Sequence, residues 1–247
     1  MPSFGVIIPA RYNSSRFPGK PLADLGGKTV LQRVIGQVEQ CYPHAGVAVA
    51  TDDIRIAEHA GEFCKVVMTS ANHSSGTDRI AEAYLKLGWN CDVVVNVQGD
   101  EPFIQPKQIE QLVQCFKNES TQIATLKFAL HSTDEIQNPN AVKVVTDRNG
   151  HALYFSRSPI PFRRNQDMEV AYFRHVGIYA FRPAVLQTIT QLAVGTLEEI
   201  EMLEQLRWLE NGYKIQVAET DFISPAVDTP EDLLAALEFL KGLHFSH

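Results

Sequence analysis

Apolar positions recur along the first two-thirds of the chain with two alternating periods. Phe4 to Ile8 is a short apolar run and predicts a buried strand. After the Gly26-Gly27 turn, Val30, Val34 and Val38 recur every fourth residue, with Leu31 and Ile35 beside them, which is the stripe of an amphipathic helix. Val47 to Ala50 predicts the next strand, and Asp52 and Asp53 stand where a helix over Ile54 to Phe63 needs its cap. Val66 to Met68 predicts a third strand, and Ile80, Ala83, Tyr84 and Leu87 a further helical stripe. Val93 to Val97 is nearly all apolar, as in a strand covered on both faces. Pro106 opens a helix through Phe116 at a position where the missing N–H costs nothing. Strands alternating with helices predict an α/β fold with a mostly parallel, doubly wound, Rossmann-like sheet. Such sheets bind ligands beyond the C-terminal ends of their strands.

From about 122 to 182 the pattern changes. Ile123 to Leu130, Val142 to Thr146, Leu153 to Phe155 and His175 to Phe181 read as strands, with a hairpin turn at Asp147-Arg148-Asn149-Gly150. This predicts a β-rich inserted subdomain. The remainder reads as a helix over Leu197 to Leu209, a strand over Ile215 to Ala218, and a helix from Pro230 to Leu240 capped by Thr229. In the first of these helices Ile200, Leu203 and Leu206 are expected on one face, and Glu201, Glu204 and Gln205 on a solvated one.

Composition narrows the class. With 247 residues and 45 % hydrophobic positions the chain can bury a sizeable core, and a net charge of −7 argues against a nucleic-acid partner. A local cationic cluster can still bind an anionic small molecule. Cys41, Cys64, Cys91 and Cys115 are too far apart for a zinc knuckle or a redox pair, so reduced thiols are expected. The apolar run after the N-terminus breaks at Pro9, too short for a signal peptide or a membrane span. The expectation is a cytoplasmic protein with no membrane partner.

Chemistry concentrates in Pro9-Ala10-Arg11-Tyr12-Asn13-Ser14-Ser15-Arg16-Phe17-Pro18-Gly19-Lys20-Pro21-Leu22. Arg11, Arg16 and Lys20 fall within ten residues, and small residues between them let backbone N–H groups approach a ligand. Three cations alone would read as a solvated loop, but their place after the first strand points to phosphate binding. The Walker A spacing is absent. Asp100, at the end of the fourth strand in Gln98-Gly99-Asp100-Glu101-Pro102, is either a turn former or a ligand of a hard cation such as magnesium. Asp228 stands before Thr229-Pro230-Glu231-Asp232, and spacing leaves it open between helix capping and ligation. Ser75-Gly76-Thr77-Asp78-Arg79 opens a helix and fits a plain N-cap as well as a polar ligand contact.

The first loop, read with these other blocks, resembles the 3-deoxy-manno-octulosonate cytidylyltransferases (CMP-Kdo synthetases). The resemblance runs in the family's order through Asn138 to Val144, Ala152 to Arg157, Arg174 to Tyr179, Glu201 to Arg207 and Val227 to Leu233, so it spans nearly the whole chain. It implies one cytidylyltransferase domain over 1–247 of nucleotide-diphospho-sugar transferase type, with the 122–182 segment serving sugar binding or dimerisation. The implied substrates are CTP and 3-deoxy-D-manno-octulosonate (Kdo), the implied cofactor Mg2+, and the implied assembly a homodimer in lipopolysaccharide synthesis of a Gram-negative bacterium.

Residue by residue, the resemblance implies catalytic roles for Arg11, Lys20 and Asp100. It implies nucleotide contacts from Ala10, Arg11, Ser15, Arg16, Lys20, Ser75, Arg79 and Gln98, and metal ligation by Asp100 and Asp228. Sugar contacts fall to Gln98, Arg157, His175, Tyr179, Glu204 and Gln205; the residues themselves read Glu204 and Gln205 as a solvated face, and His175 and Tyr179 as alternate positions of one strand face. The implied chemistry is in-line attack of the Kdo anomeric hydroxyl on the α-phosphorus with loss of pyrophosphate, driven by positioning and electrostatics. Alternatives are a cytidylyltransferase for an amino-substituted Kdo or sialic acid, a glycosyltransferase, and a non-catalytic nucleotide-binding regulator. The glycosyltransferase reading lacks its Asp-x-Asp motif, since Gly99-Asp100-Glu101 does not supply one.

Overall fold

The apolar run at the N-terminus forms β1 (Phe4–Ala10), whose residues after the first are all buried. The computed structural model describes residues 1–41 and 46–244, and the side chains of Cys41, Leu243 and His244 lie outside the described set. Two compact units emerge, one of Ser3–Glu110 with Ile223–His247, the other of Gln111–Phe222 with Met1–Pro2.

In the first unit β1 is followed by α1 (Val30–Cys41), β2 (Gly46–Thr51), α2 (Ile54–Ala60), β3 (Lys65–Met68), α3 (Gly76–Leu87), β4 (Val93–Asn96) and the start of α4 (Pro106–Cys115). All strand pairings here are parallel, in the order β3-β2-β1-β4, with Gly5 opposite Gly46 and Ile7 opposite Asn96. The chain builds outward through β2 and β3, then returns to place β4 on the other side of β1. That reversal is the crevice where an open α/β sheet offers its ligand site. Asp53 caps α2 by accepting from the Arg55 N–H at 2.9 Å, and α2 stops three residues short of the expected Phe63. Asp52 is used elsewhere, in an ion pair with Arg79.

One apolar cluster ties the two sequence ends of this unit together. Leu25, Val30, Phe103, Val227 and Ala236 are buried, and Phe17, Leu233, Leu237 and Leu240 pack against them. The last three belong to α9 (Pro230–His244), so its apolar stripe seats beside the first loop. Each fully buried aliphatic side chain contributes roughly 1.5–3 kcal/mol.

The second unit holds β5 (Ile123–Leu130), α5 (Thr133–Gln137), β6 (Lys143–Thr146), β7 (Ala152–Ser156), β8 (Tyr172–Phe181), α6 (Pro183–Ile189), α7 (Thr196–Glu201), α8 (Gln205–Glu210) and β9 (Ile215–Glu219). β5 runs antiparallel to β8 and parallel to β9, and β6 pairs antiparallel with β7. The hairpin turn is an Asx turn: Asp147 Oδ1 accepts from the N–H groups of Asn149 and His151, each at 2.8 Å. The expected helix over Leu197 to Leu209 is broken. Met202 takes a left-handed φ of 53°, ends α7, and α8 restarts at Gln205. The expected solvated face is corrected with it, because Gln205 is buried and Ile200 is the exposed member.

Candidate active site

The loop after β1 is shaped by its own backbone. The Tyr12 carbonyl accepts from the N–H groups of Ser14 at 3.1 Å and Gly19 at 2.8 Å, and Gly19 sits at a φ of 75°, where a side chain would be strained. The chain then enters a single 3₁₀ turn at Lys20–Leu22 with Pro21 in its first turn. Arg55 lies over the Tyr12 ring at 3.3 Å from its centroid and is itself held by Asp53. The second loop presses on the first: a Cβ at Gly99 would stand 2.8 Å from the Pro9 carbonyl oxygen. Only glycine lets the two strand ends approach this closely.

Between these loops lies a cleft of about 330 Å³. Ala10, Arg11, Ser15, Lys20, Gln98 and Asp100 line it, so six of the predicted residues come together there. Asn13, Ser14, Gly76 and Gly99 also line it, although residue type alone gives them no role. Their signal is position: each lies between or beside the charged members of a motif.

The Lys20 ammonium touches Asp100 Oδ2 and stands 2.9 Å from Asp228 Oδ1. Arg16 reaches Asp228 Oδ2 at 3.2 Å from a largely exposed position. Burial works to lower the Lys20 pKa, but Asp100 first and Asp228 after it outweigh burial and raise it above its ordinary value. For Asp228 burial works upward, and the Lys20 contact, with Arg16, outweighs it and holds the carboxyl below its usual range. Lys20 therefore stays cationic and Asp228 anionic at neutral pH.

The two readings left open for Asp228 separate in the structure. Asp232 does the capping, accepting from the N–H groups of Asp228 at 3.1 Å and Thr229 at 2.9 Å, while Thr229 Oγ1 accepts from the Asp232 N–H at 3.2 Å. The Val227 N–H donates to the Asp100 carbonyl at 2.8 Å, which ties both aspartates to one backbone contact. The Asp228 carboxylate is thus left to Lys20 and Arg16, although neither Asp228 nor Arg16 is among the residues that line the cleft. Two hard carboxylates converging on one cation are a donor set that suits magnesium, which completes its shell with water and substrate phosphate. No group of three or more His, Cys, Asp or Glu side chains that could hold a metal ion occurs among the described residues.

At the start of α3 the Ser75 hydroxyl accepts from the Asp78 N–H at 3.0 Å and Asp78 accepts in return from the Ser75 N–H at 3.2 Å, a full capping box. Gly76, the first residue of α3, lines the cleft, whereas Ser75 and Arg79 are not among the lining residues. Arg79 is fully buried, donates to Thr69 Oγ1 at 2.6 Å and pairs with Asp52 at 3.0 Å, leaving Nε and Nη2 without a hydrogen-bond partner. Burial pulls its pKa down; Asp52 opposes that and Arg11 adds to it.

Arg157, His175, Tyr179, Glu204 and Gln205 all belong to the second unit. Arg157 donates to the carbonyls of Glu201 at 2.7 Å, Pro139 at 3.1 Å and Met202 at 3.3 Å, so it closes the C-terminus of α7 at the left-handed corner. Lys143, fully buried, donates to the Arg157 carbonyl at 2.6 Å and to that of Asn138 at 2.8 Å. His175 Nε2 is 3.0 Å from Thr125 Oγ1, and its ring meets Phe155 edge-on at 5.0 Å and Tyr179 at 5.3 Å. Burial and then Arg174 lower the His175 pKa to about 3, so the imidazole is neutral. The Tyr179 hydroxyl is buried; burial followed by the Glu204 charge raises its pKa well above the ordinary value, against a smaller opposing effect of the Thr125 side chain.

The chain is similar to known proteins over nearly its whole length. A family model described as Cytidylyltransferase matches residues 5–215. A Bacteroides thetaiotaomicron protein named 3-deoxy-manno-octulosonate cytidylyltransferase is 54 % identical, covering 96 % of this chain and 97 % of its own. A relative of the same name from Porphyromonas gingivalis is 49 % identical, over 96 % of each chain. The solved structure of a CMP:2-keto-3-deoxy-manno-octonic acid synthetase complexed with CTP superposes with a TM-score of 0.92 at 42 % identity, over 97 % of this chain and 99 % of that one. A 4-diphosphocytidyl-2C-methyl-D-erythritol synthase from Anaerococcus prevotii, at a TM-score of 0.63 and 15 % identity over 97 % of this chain and 98 % of that one, shares the fold.

Proposed function

Because the chain belongs to the cytidylyltransferase family, and within it to the 3-deoxy-manno-octulosonate cytidylyltransferases, we propose a division of labour among its residues for that family's reaction. The chain transfers CMP from CTP to Kdo, forming CMP-Kdo and pyrophosphate. The observation that carries the division is the meeting of Lys20, Asp100 and Asp228 at the edge of a cleft lined by Arg11 and the small residues of the first loop.

Arg11 and Lys20 bind the triphosphate and neutralise charge that builds on it as the α-phosphorus is attacked. The backbone N–H of Gly76, at the start of a twelve-residue helix, adds a dipole favourable to an anion. Arg16, exposed and paired with Asp228, assists from the rim. Asp100 and Asp228 would hold Mg2+, which when bound would supply charge neutralisation on the phosphates and lower the pKa of the attacking hydroxyl. Gln98 lies in the same cleft and serves nucleotide and sugar. Arg157, His175, Tyr179, Glu204 and Gln205 are assigned to Kdo: the buried Tyr179 hydroxyl and the neutral His175 are hydrogen-bonding groups for its hydroxyls, and no proton transfer is asked of them. A homodimer and a cytoplasmic site of action belong to the same reading. Among the described residues no helix is long and apolar enough to cross a membrane.

The test is transfer of label from CTP carrying 32P at the α-phosphate. The reading requires the label to appear in a product with the mass of CMP-Kdo, dependent on Mg2+. Label retained in CTP or released as CMP in the presence of Kdo and Mg2+ would overturn it.

A further inference from the structure

Arg11 is held from outside the cleft. Its Nη2 donates to the carbonyl oxygen of His73 at 2.7 Å. A guanidinium carries five donors in a rigid fork, so pinning one edge to a fixed carbonyl leaves the others oriented for an anion. The aim of Arg11 therefore depends on what fixes His73.

That anchor is Glu82, one turn further along α3 than any member of the capping block. Its Oε2 takes a short contact from His73 Nε2 and accepts from the Ser70 N–H at 2.9 Å. Its Oε1 pairs with Lys86 Nζ at 2.6 Å, and Lys86 donates to the Met68 carbonyl at 2.8 Å. One carboxylate and its neighbour one turn on thus hold the segment from Met68 to His73 at three points. Burial works to raise the Glu82 pKa; Lys86, the Ser70 N–H and His73 together outweigh it and bring the carboxyl to about 2, so the anchor is an anion. Neither Glu82 nor His73 lines the cleft.

We propose that Glu82 is a positioning residue for triphosphate binding: through the His73 ring it fixes the carbonyl that aims the Arg11 fork at the phosphates. This rests on the assignment of the cleft to CTP. A charge-assisted anchor of this kind, lost, lets Arg11 sample other rotamers, and a loss of about 10-fold in CTP affinity follows from the strength of the contact it aims.

Calorimetric titration of the full chain with CTP and Mg2+, without Kdo, tests it through a double-mutant cycle. The proteins are the unmodified chain, Glu82→Gln, Arg11→Lys, which keeps the charge and loses the fork, and the double variant. Glu82→Gln is expected to bind CTP about 10-fold more weakly, and to add less than 2-fold to the loss already caused by Arg11→Lys. His73→Asn, which removes the ring and keeps the carbonyl, carries the same expectation and stands in should Glu82→Gln melt at the assay temperature. CTP affinity within 2-fold of the unmodified chain in the single variants overturns the proposal, as does an undiminished loss in the Arg11→Lys background, which is the mark of general loosening. Absence of CTP binding by the unmodified chain would instead overturn the assignment of the cleft, and the proposal with it.

Discussion

The partly buried imidazole of His175 makes a sharp prediction about pH and stability. Its folded pKa of about 3 lies well below the ordinary 6.5, because burial penalises the cation and Arg174 adds a like charge. The unfolded chain protonates this histidine as pH falls through 6.5, whereas the folded chain does not until about 3. The stability it confers is therefore present in full above 6.5, is lost as pH falls below that, and levels off near 3. At pH 5.0 the gap from 6.5 is 1.5 units, which at about 1.36 kcal/mol per unit gives a loss of about 2 kcal/mol. Replacing His175 by Gln keeps a partner for the Thr125 hydroxyl and removes the titration. Urea unfolding of both proteins at pH 8.0 and 5.0 reads the effect. The unmodified chain should lose about 2 kcal/mol more than the variant between the two conditions, whatever the variant's stability at pH 8.0. An identical pH dependence in the two proteins would refute the neutral imidazole. The same neutrality means that no limb of the pH–rate profile near pH 6–7 belongs to His175.

Three further outcomes follow from the cleft. Lys20→Ala should leave a folded protein by circular dichroism with turnover reduced at least ~100-fold, because it removes the cation nearest both carboxylates. Asp228→Asn should give a similar loss and shift the Mg2+ dependence of turnover to higher concentration, while α9 keeps its cap through Asp232, so the thermal midpoint moves little. Gly99→Ala forces a methyl to 2.8 Å from the Pro9 carbonyl and should cost about 1–3 kcal/mol in urea unfolding, with CTP binding weakened as the two loops part.

Much of the first unit could be read from periodicity, since β1 to β4 and the helices between them bury residues at the positions that repeat. The loop cations Arg11 and Lys20 were legible from their place: like charges crowded at the ligand end of a strand repel one another unless an anion or a carboxylate offsets them. The break in the 197–209 helix was not legible. Met202 is an ordinary helix former by propensity, and the Arg157 guanidinium that collects the carbonyls of Glu201 and Met202 at the left-handed turn is 45 residues away in sequence. The capping pattern at Thr229 was legible, yet the spacing could not say which aspartate capped and which faced Lys20, because both stand within one turn of the helix start. Arg79 shows the opposite limit: a cation in a motif rich in ligand-type residues is buried against Asp52, a partner 27 positions upstream that local pattern does not reveal.

The most direct test of the central claim is pyrophosphate release measured with CTP, Mg2+ and a panel of acid sugars, set against the other nucleoside triphosphates with Kdo. The account predicts that kcat/KM is highest for the CTP and Kdo pair and falls when either is exchanged, with one pyrophosphate formed per CMP-Kdo. Faster release with an amino-substituted Kdo or sialic acid, or CTP binding with no pyrophosphate from any sugar, would contradict it.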